Sequence, residues 1–340
     1  MSRRFDVALL GYYGFGNLGD DLLLEAFLGL LRDAGVPEDR LIVFSSTPSE
    51  TRSRCSVQSA DRWSPASLWA ALRRSETLLY GGGGLFQDAT SLRSAVYYAS
   101  VAHMARMAGC TPWSFGQSFG PFRTKTGEVL SRSAVRRMSV RGVRDRRSLE
   151  ILKSWGLSGV LTPDAVFSLA SEEAGSEKRG EVLLVNLRPW PGDLTIRAAA
   201  EAGRLSEEAG IPLVGVAMSA GDEVLLRSLR DSGTLPCADI FRPAGMQDVR
   251  RLWSDAAGSF GMRLHFCILS ALFDVSCTAV PYDPKVAGFA QDMGMPCFPE
   301  TRTGERRPRR TARELGGEVR SEFLNAWRDL RDGNTAHSGN

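Results

Sequence analysis

Histidine is scarce in this chain: there are three in 340 residues, and one of them, His337, lies in a polar tail. The six cysteines (Cys55, Cys110, Cys237, Cys267, Cys277, Cys297) form no C-x-x-C pair and no cysteine–histidine cluster, which argues against a zinc site. Cys110, Cys267 and Cys277 stand among apolar neighbours and read as buried free thiols. No stretch is apolar over the length of a membrane-spanning helix. The opening "MSRRFDVALLGYYGFGNLGDD" is broken by glycines and aspartates too soon for a signal peptide. Nor is charge of one sign in excess. A net charge of +3 gives no argument for a nucleic-acid partner. The basic residues are scattered, apart from "GERRPRR" at Gly304–Arg310, which reads as a solvated loop. A cytoplasmic protein is expected, and the basic 302–313 region is the one stretch that offers a membrane-surface patch.

What the chain does have is an ordinary globular composition, 43% hydrophobic and 24% charged, with material for two domains. Short apolar runs ("FDVALL", "RLIVFSS", "TLLYGGGG", "PWSFGQSF", "MSVRGVRD") alternate with helical stretches. In the first of these stretches, apolar residues at 22, 23, 26, 27, 30 and 31 form one stripe, with Asp20 or Asp21 as cap and Gly35 as terminator. "ASEEAGSEKRG" then turns polar, and the alternation restarts at "EVLLVNLRPW". The pattern predicts an α/β protein of two Rossmann-like parallel-sheet domains facing a cleft, GT-B-like. The expected boundaries are 1–170, a linker at 171–180, a second domain at 181–331 ending in a C-terminal helix, and a disordered tail at 332–340.

Ligands of open parallel sheets bind beyond the carboxyl ends of the strands. Three strand-to-helix junctions carry a cation or an imidazole there. Arg144 follows "MSVRGV", with Asp145 as helix cap. Arg263, Leu264 and His265 open the greasy helix "HFCILSALF". Lys285 follows "TAVPYD", with Asp283 as cap and Pro284 at the first helical position. Helix starts, arginine and lysine together suit a small anion bearing phosphate and carboxylate. Structural alternatives stand beside each: a capping histidine, an Arg144 paired with Asp145 or Glu150, a surface lysine. Two glycine-rich loops remain. "GYYGFGNLGDD" matches a dinucleotide fingerprint only superficially. "YGGGGLFQD" permits close backbone approach to a ligand through Gly82 and Gly83, but lacks the GK[ST] of a P-loop. Asn17, Asp20, Gln87, Asp88 and Gln117 are the candidate contacts to sugar hydroxyls, with caps and turns as the other reading.

"GYYGFGNLGDD", "GGGGLFQD", "GQSFGPF", "SVRGVRDRRS", "TPDAVFSL", "GMRLH" and "YDPKV" occur in the order and spacing of polysaccharide pyruvyl transferases. The chain resembles that family from about Phe5 to Gln291, and most closely its CsaB-type bacterial cell-wall-anchoring branch. The resemblance implies transfer of pyruvyl from phosphoenolpyruvate, a co-substrate rather than a cofactor, to two hydroxyls of a sugar. The product is a cyclic ketal, with release of phosphate. It implies a lipid-linked saccharide acceptor carrying N-acetylmannosamine, with galactose acceptors of exopolysaccharide branches left open, and a part in anchoring surface layers. The family's catalytic arginine, histidine and lysine fall on Arg144, His265 and Lys285, and Arg263 with Leu264 complete its "RLH". "VRGVRDRRS" also holds Arg141, Arg146 and Arg147, so the arginine assignment is open by a few positions, and Asp21 stands where relatives often have Glu. The alternatives are a GT-B glycosyltransferase using a nucleotide sugar, and a non-catalytic sugar- or anion-binding protein.

Overall fold

The computed structural model describes residues 3–89, 91–170, 180–299 and 310–337. The first unit is built on β1 (Phe5–Leu10), followed by α1 (Leu18–Asp33), β2 (Leu41–Ser45), α2 (Pro48–Cys55), β3 (Gln58–Asp61), α3 (Pro65–Leu72), β4 (Ser75–Phe86), α4 (Leu92–Met107), β5 (Thr111–Phe119), α5 (Lys125–Val135), β6 (Arg141–Val143), α6 (Arg146–Ser154) and β7 (Val160–Leu161). Its strands are parallel and run in the order β3-β2-β1-β4-β5-β6-β7. β1, β2 and β5 are almost wholly buried, as strands covered by helices on both faces must be. The "GGGG" run does not form the turn its composition suggests. It lies inside β4, where Gly82 and Gly83 take positive φ and the pairing with β5 slips register before Phe86.

The second unit holds β8 (Val182–Asn186), α7 (Leu194–Ala209), β9 (Leu213–Val216), α8 (Ala220–Asp231), β10 (Cys237–Phe241), α9 (Met246–Ser254), β11 (Ala256–Gly261), α10 (Leu264–Leu272), β12 (Cys277–Ala279) and α11 (Pro284–Met293). Its parallel sheet runs β10-β9-β8-β11-β12. Strand order reverses between β1 and β4 in the first sheet and between β8 and β11 in the second. These are the points where open α/β sheets leave a crevice.

The chain divides between the units differently from the expected boundaries. Residues 16–22 belong with the second unit, and the last helix, α12 (Ala312–His337), is assigned from Gly316 onward to the first. There Phe323 lies 5.6 Å from the Trp113 ring and 5.1 Å from Phe115, and Trp327 lies 6.0 Å from Trp113. A sequence stripe shows that a helix is amphipathic but not which sheet it covers. Asn334–His337, expected in a tail, continue α12. The 171–180 linker, save Gly180, and the basic run, save Arg310, lie outside the described residues. Among the described residues no helix is long and apolar enough to cross a membrane. Cys110, Cys267 and Cys277 are buried free thiols, and burial pushes the Cys110 thiol up to about 12.

Candidate active site

α10 is buried all round, as its composition dictates, with one exception: of its nine residues only His265 is not buried. Trp253 Nε1 donates to Ser270 Oγ, and Ser270 Oγ donates to the Phe266 carbonyl, so the helix is fixed from its inner side. His265 is thereby presented at the carboxyl end of β11 on a rigid support. Against it lies the first turn of α1. A Cβ placed on Gly19 would stand 2.1 Å from His265 Nδ1, so only glycine lets the two segments come this close. The helix start is held by Asn17, whose Oδ1 accepts from Gly19 N and whose carbonyl accepts from Asp20 N and Asp21 N. Asp20 and Asp21 therefore occupy the first turn rather than the expected cap position.

Arg263 is the N-cap residue of α10. Its Nε and Nη2 donate to the two carboxylate oxygens of Asp222 at 3.1 and 2.6 Å, and Nη2 also donates to Ser219 Oγ. Its backbone N donates to Asn186 Oδ1, and Asn186 Nδ2 donates to the Val216 carbonyl. Burial pulls the Arg263 guanidinium down, but bonds to Asp222, its charge, and those of Tyr282 and Asp20 outweigh this and leave it raised. Asp20, expected at a sugar hydroxyl, thus lies in the field of Arg263, within the same unit. Leu264 is buried.

At the neighbouring strand end, Asp283 caps α11 by accepting from Lys285 N, with Pro284 at the first turn as expected. The Lys285 ammonium is 3.7 Å from the Asp283 carboxylate and partly exposed, a loose surface pair. One residue that the sequence reading passed over completes this edge. Arg188, two residues after β8, donates from Nη1 to Tyr282 Oη at 2.8 Å, and its guanidinium lies 4.6 Å from the Tyr282 ring and 5.4 Å from that of Trp190. Its Nε is buried without an acceptor among the described residues. The strand-end rule applied to "VNLRPW" marks Arg188 as readily as it marks Arg263.

In the first unit the predicted residues are tied into the framework. Arg144 donates from Nη1 to Asp164 at 2.5 Å and from Nε to Ser118 Oγ at 2.9 Å, with both charged side chains about 5% exposed. Its partner is neither Asp145, which caps α6, nor Glu150, but the aspartate of "TPDAVFSL". Arg141 bonds the Val135 carbonyl, and Arg146 and Arg147 are exposed. Asp88 is buried and accepts from Arg123 N, Thr124 N and Thr124 Oγ1 at the start of α5. Burial raises its carboxyl, yet these hydrogen bonds hold it below the ordinary value. Gln117 is buried and donates to the carbonyls of Tyr80 and Gly82, locking the glycine segment, while its Oε1 has no partner among the described residues. Gln87 is half-buried just past β4. Among the described residues no group of three His, Cys, Asp or Glu side chains could hold a metal ion.

The model of the family described as polysaccharide pyruvyl transferase matches residues 17–284. The chain belongs to this family. A search of curated proteins finds no match. Among solved structures, the chain is similar to UDP-N-acetylglucosamine 2-epimerase from Rickettsia bellii, with a TM-score of 0.58 at 10% identity over 95% of this chain and 96% of that one. The same enzyme from Methanocaldococcus jannaschii aligns with a TM-score of 0.58 at 9% identity, over 94% and 92% of the chains. That from Neisseria meningitidis, bound to UDP-GlcNAc, aligns at 0.53 and 8% identity, over 98% and 100%. At these identities the likeness carries the fold alone, α/β with two Rossmann-like parallel sheets, GT-B-like. It does not favour the nucleotide-sugar glycosyltransferase over the pyruvyl transferase that the family match supports.

Proposed function

We propose that this polysaccharide pyruvyl transferase takes phosphoenolpyruvate as donor and forms a cyclic pyruvate ketal across two hydroxyls of a sugar. The acceptor in this reading is the N-acetylmannosamine of a lipid-linked cell-wall precursor, as in the CsaB-type branch. The enzyme then works at the cytoplasmic membrane face and helps to anchor surface layers. The observation that carries the chemistry is the half-buried imidazole of His265, set on an otherwise buried helix, pressed against Gly19 and beside the fixed Arg263.

Protonated His265 donates its proton to the methylene carbon of phosphoenolpyruvate, and C2 becomes an oxocarbenium centre. One sugar hydroxyl adds to C2 and gives up its proton to the now neutral imidazole. The C2–O bond to phosphorus breaks and phosphate leaves. The second hydroxyl then adds to C2, its proton leaving with the released phosphate, and closes the ketal. Lys285 and Arg188 hold the donor's phosphate and carboxylate, together with the backbone N–H groups of Leu264 and His265 at the start of α10. Arg263, its charge matched by Asp222, positions that helix start. In the first unit, Arg144 has its charge matched by Asp164 and serves as a strut of that sheet's edge. No resident cofactor enters this scheme.

The test is incubation with phosphoenolpyruvate and a synthetic lipid-linked disaccharide ending in N-acetylmannosamine. Acceptor-dependent release of inorganic phosphate, with a ketal on the sugar by mass spectrometry, is expected. Phosphate release that ignores the acceptor, or transfer only from a nucleotide sugar, would reject the reading.

A further inference from the structure

A group of aromatic rings at the carboxyl end of β1 and β3 is not needed by the reaction above, and it stands in the first unit by itself. Trp63 is 58% exposed, Tyr12 43% and Phe15 37%. Such exposure is unusual for rings that are nonetheless fixed in place. Tyr12 and Phe15 stack at 4.0 Å with an interplanar angle of 11°, and Phe15 meets Trp63 edge-on at 6.2 Å. Beneath them lies the guanidinium of Arg62, 1% exposed, 5.1 Å from the Phe15 ring, 5.2 Å from Trp63 and 4.9 Å from Tyr97. Arg62 is pinned by bonds from Nη1 to the Gly11 carbonyl and from Nη2 to Tyr98 Oη, while Tyr97 Oη donates to the Arg62 carbonyl. No carboxylate among the described residues comes within ion-pair distance of it, so ring faces, one carbonyl and one phenol oxygen carry its charge. Asp61 sits at the rim, accepting from Trp63 N at 2.8 Å.

We propose that Tyr12, Phe15 and Trp63 form a stacking platform for a pyranose ring of the acceptor saccharide. The inference rests on the reading that the enzyme acts on a saccharide. A pyranose offers one face of C–H bonds, which lies flat on an aromatic ring, and a rim of hydroxyls, which a carboxylate such as Asp61 accepts. A rigid ring group with a carboxylate at its edge matches both. The same features disfavour an anionic bilayer as occupant: the cation is buried where no headgroup reaches it, and the rim charge is negative.

The experiment compares wild type with Trp63→Ala and Trp63→Phe, and the exposure of Trp63 keeps both variants folded, as thermal denaturation would check. Calorimetric binding of lipid-free disaccharides ending in N-acetylmannosamine, galactose or glucose needs no turnover. It therefore reads the platform even if the proposed acceptor or donor is wrong. We expect Trp63→Ala to weaken binding of at least one disaccharide roughly tenfold, the size of a lost aromatic anchor. In turnover it should raise the acceptor KM by a similar factor while leaving the phosphoenolpyruvate KM unchanged, and Trp63→Phe should recover most of the loss. Unchanged binding of every disaccharide overturns the proposal. So does binding of wild type to phosphatidylglycerol vesicles that Trp63→Ala abolishes while disaccharide binding stands, which would assign the rings to a membrane.

Discussion

The two sheets reverse strand order in the same way, yet their crevices are treated differently. Between β1 and β4 the crevice is filled by the chain itself: Tyr13, 1% exposed, donates its hydroxyl to the Gly81 carbonyl. The cation at that sheet's edge, Arg144, is closed off by Asp164. Between β8 and β11 the corresponding position is lined by Asn186, whose side chain ties the Arg263 backbone to β9. Of that edge's cations, Arg263 is matched by a fully buried carboxylate, while Lys285 has only a loose partner and Arg188 is held by a phenol and two ring faces. Paired charges inside a protein serve position, because their fields cancel. Unmatched ones remain free to attract an anion. Under the proposed function, the contrast would put anion chemistry at the second edge and framework at the first.

The largest effect expected from this contrast is on turnover. His265→Ala should lower kcat by ~10²–10⁴, the usual loss of a general acid, with an unchanged melting temperature. Gly19→Ala sharpens the point without touching the imidazole chemically. Its methyl would lie 2.1 Å from Nδ1 and must displace the ring, so kcat should fall although alanine suits a helix better than glycine does. Near-normal ketal formation by both variants would remove the histidine from the mechanism.

At the first edge the effect should be on folding. Asp164→Ala leaves a buried guanidinium unpaired and should destabilise the protein by about 3–5 kcal/mol in urea unfolding. A variant that unfolds as wild type does but no longer turns over would break the contrast, because it would make Arg144 a reactant-binding group rather than a strut. A smaller effect separates the cations of the second edge. Arg188→Ala should raise the KM for phosphoenolpyruvate roughly tenfold while changing kcat less, as expected for a group that binds ground and transition states alike. An unchanged KM would show that Tyr282 and Trp190 hold Arg188 for structure alone.

Much of this was legible in the sequence, for identifiable reasons. Parallel strands buried on both faces print as apolar runs, so β1, β2, β5, β8 and β9 stand out, and glycine after aspartate-capped stripes marks helix ends. The strand-end rule then reached Arg263, His265 and Lys285. Several elements that escaped carry no such print: α2 reads "PSETRSRC", almost wholly polar, and β3 and β10 are edge strands of four and five residues. Asp222 stands in the first turn of α8, where acids are common, and only the fold shows its carboxylate against Arg263. Gly19 looked like one loop glycine among four; its necessity comes from a ring 246 positions away in the chain, which no local pattern encodes.

The smallest expected effect concerns pH and the clamp at the start of α5. Asp88 was expected at a sugar hydroxyl, but its oxygens accept from Arg123 N, Thr124 N and Thr124 Oγ1, beside the positive end of a helix. These bonds overcome burial and hold its carboxyl below the ordinary carboxylate value. A carboxyl with a depressed folded value stabilises the fold fully above the unfolded value, and that contribution fades as pH falls through the folded one. Asp88→Asn should therefore unfold more easily than wild type at neutral pH, by roughly 1 kcal/mol for the loss of charge-assisted bonds. The gap between their urea midpoints should close on acidification through and below the ordinary carboxylate range. A gap that stays constant or widens in acid would mean that the charge of Asp88 contributes nothing to the clamp, and would reopen the carboxylate as a contact for substrate.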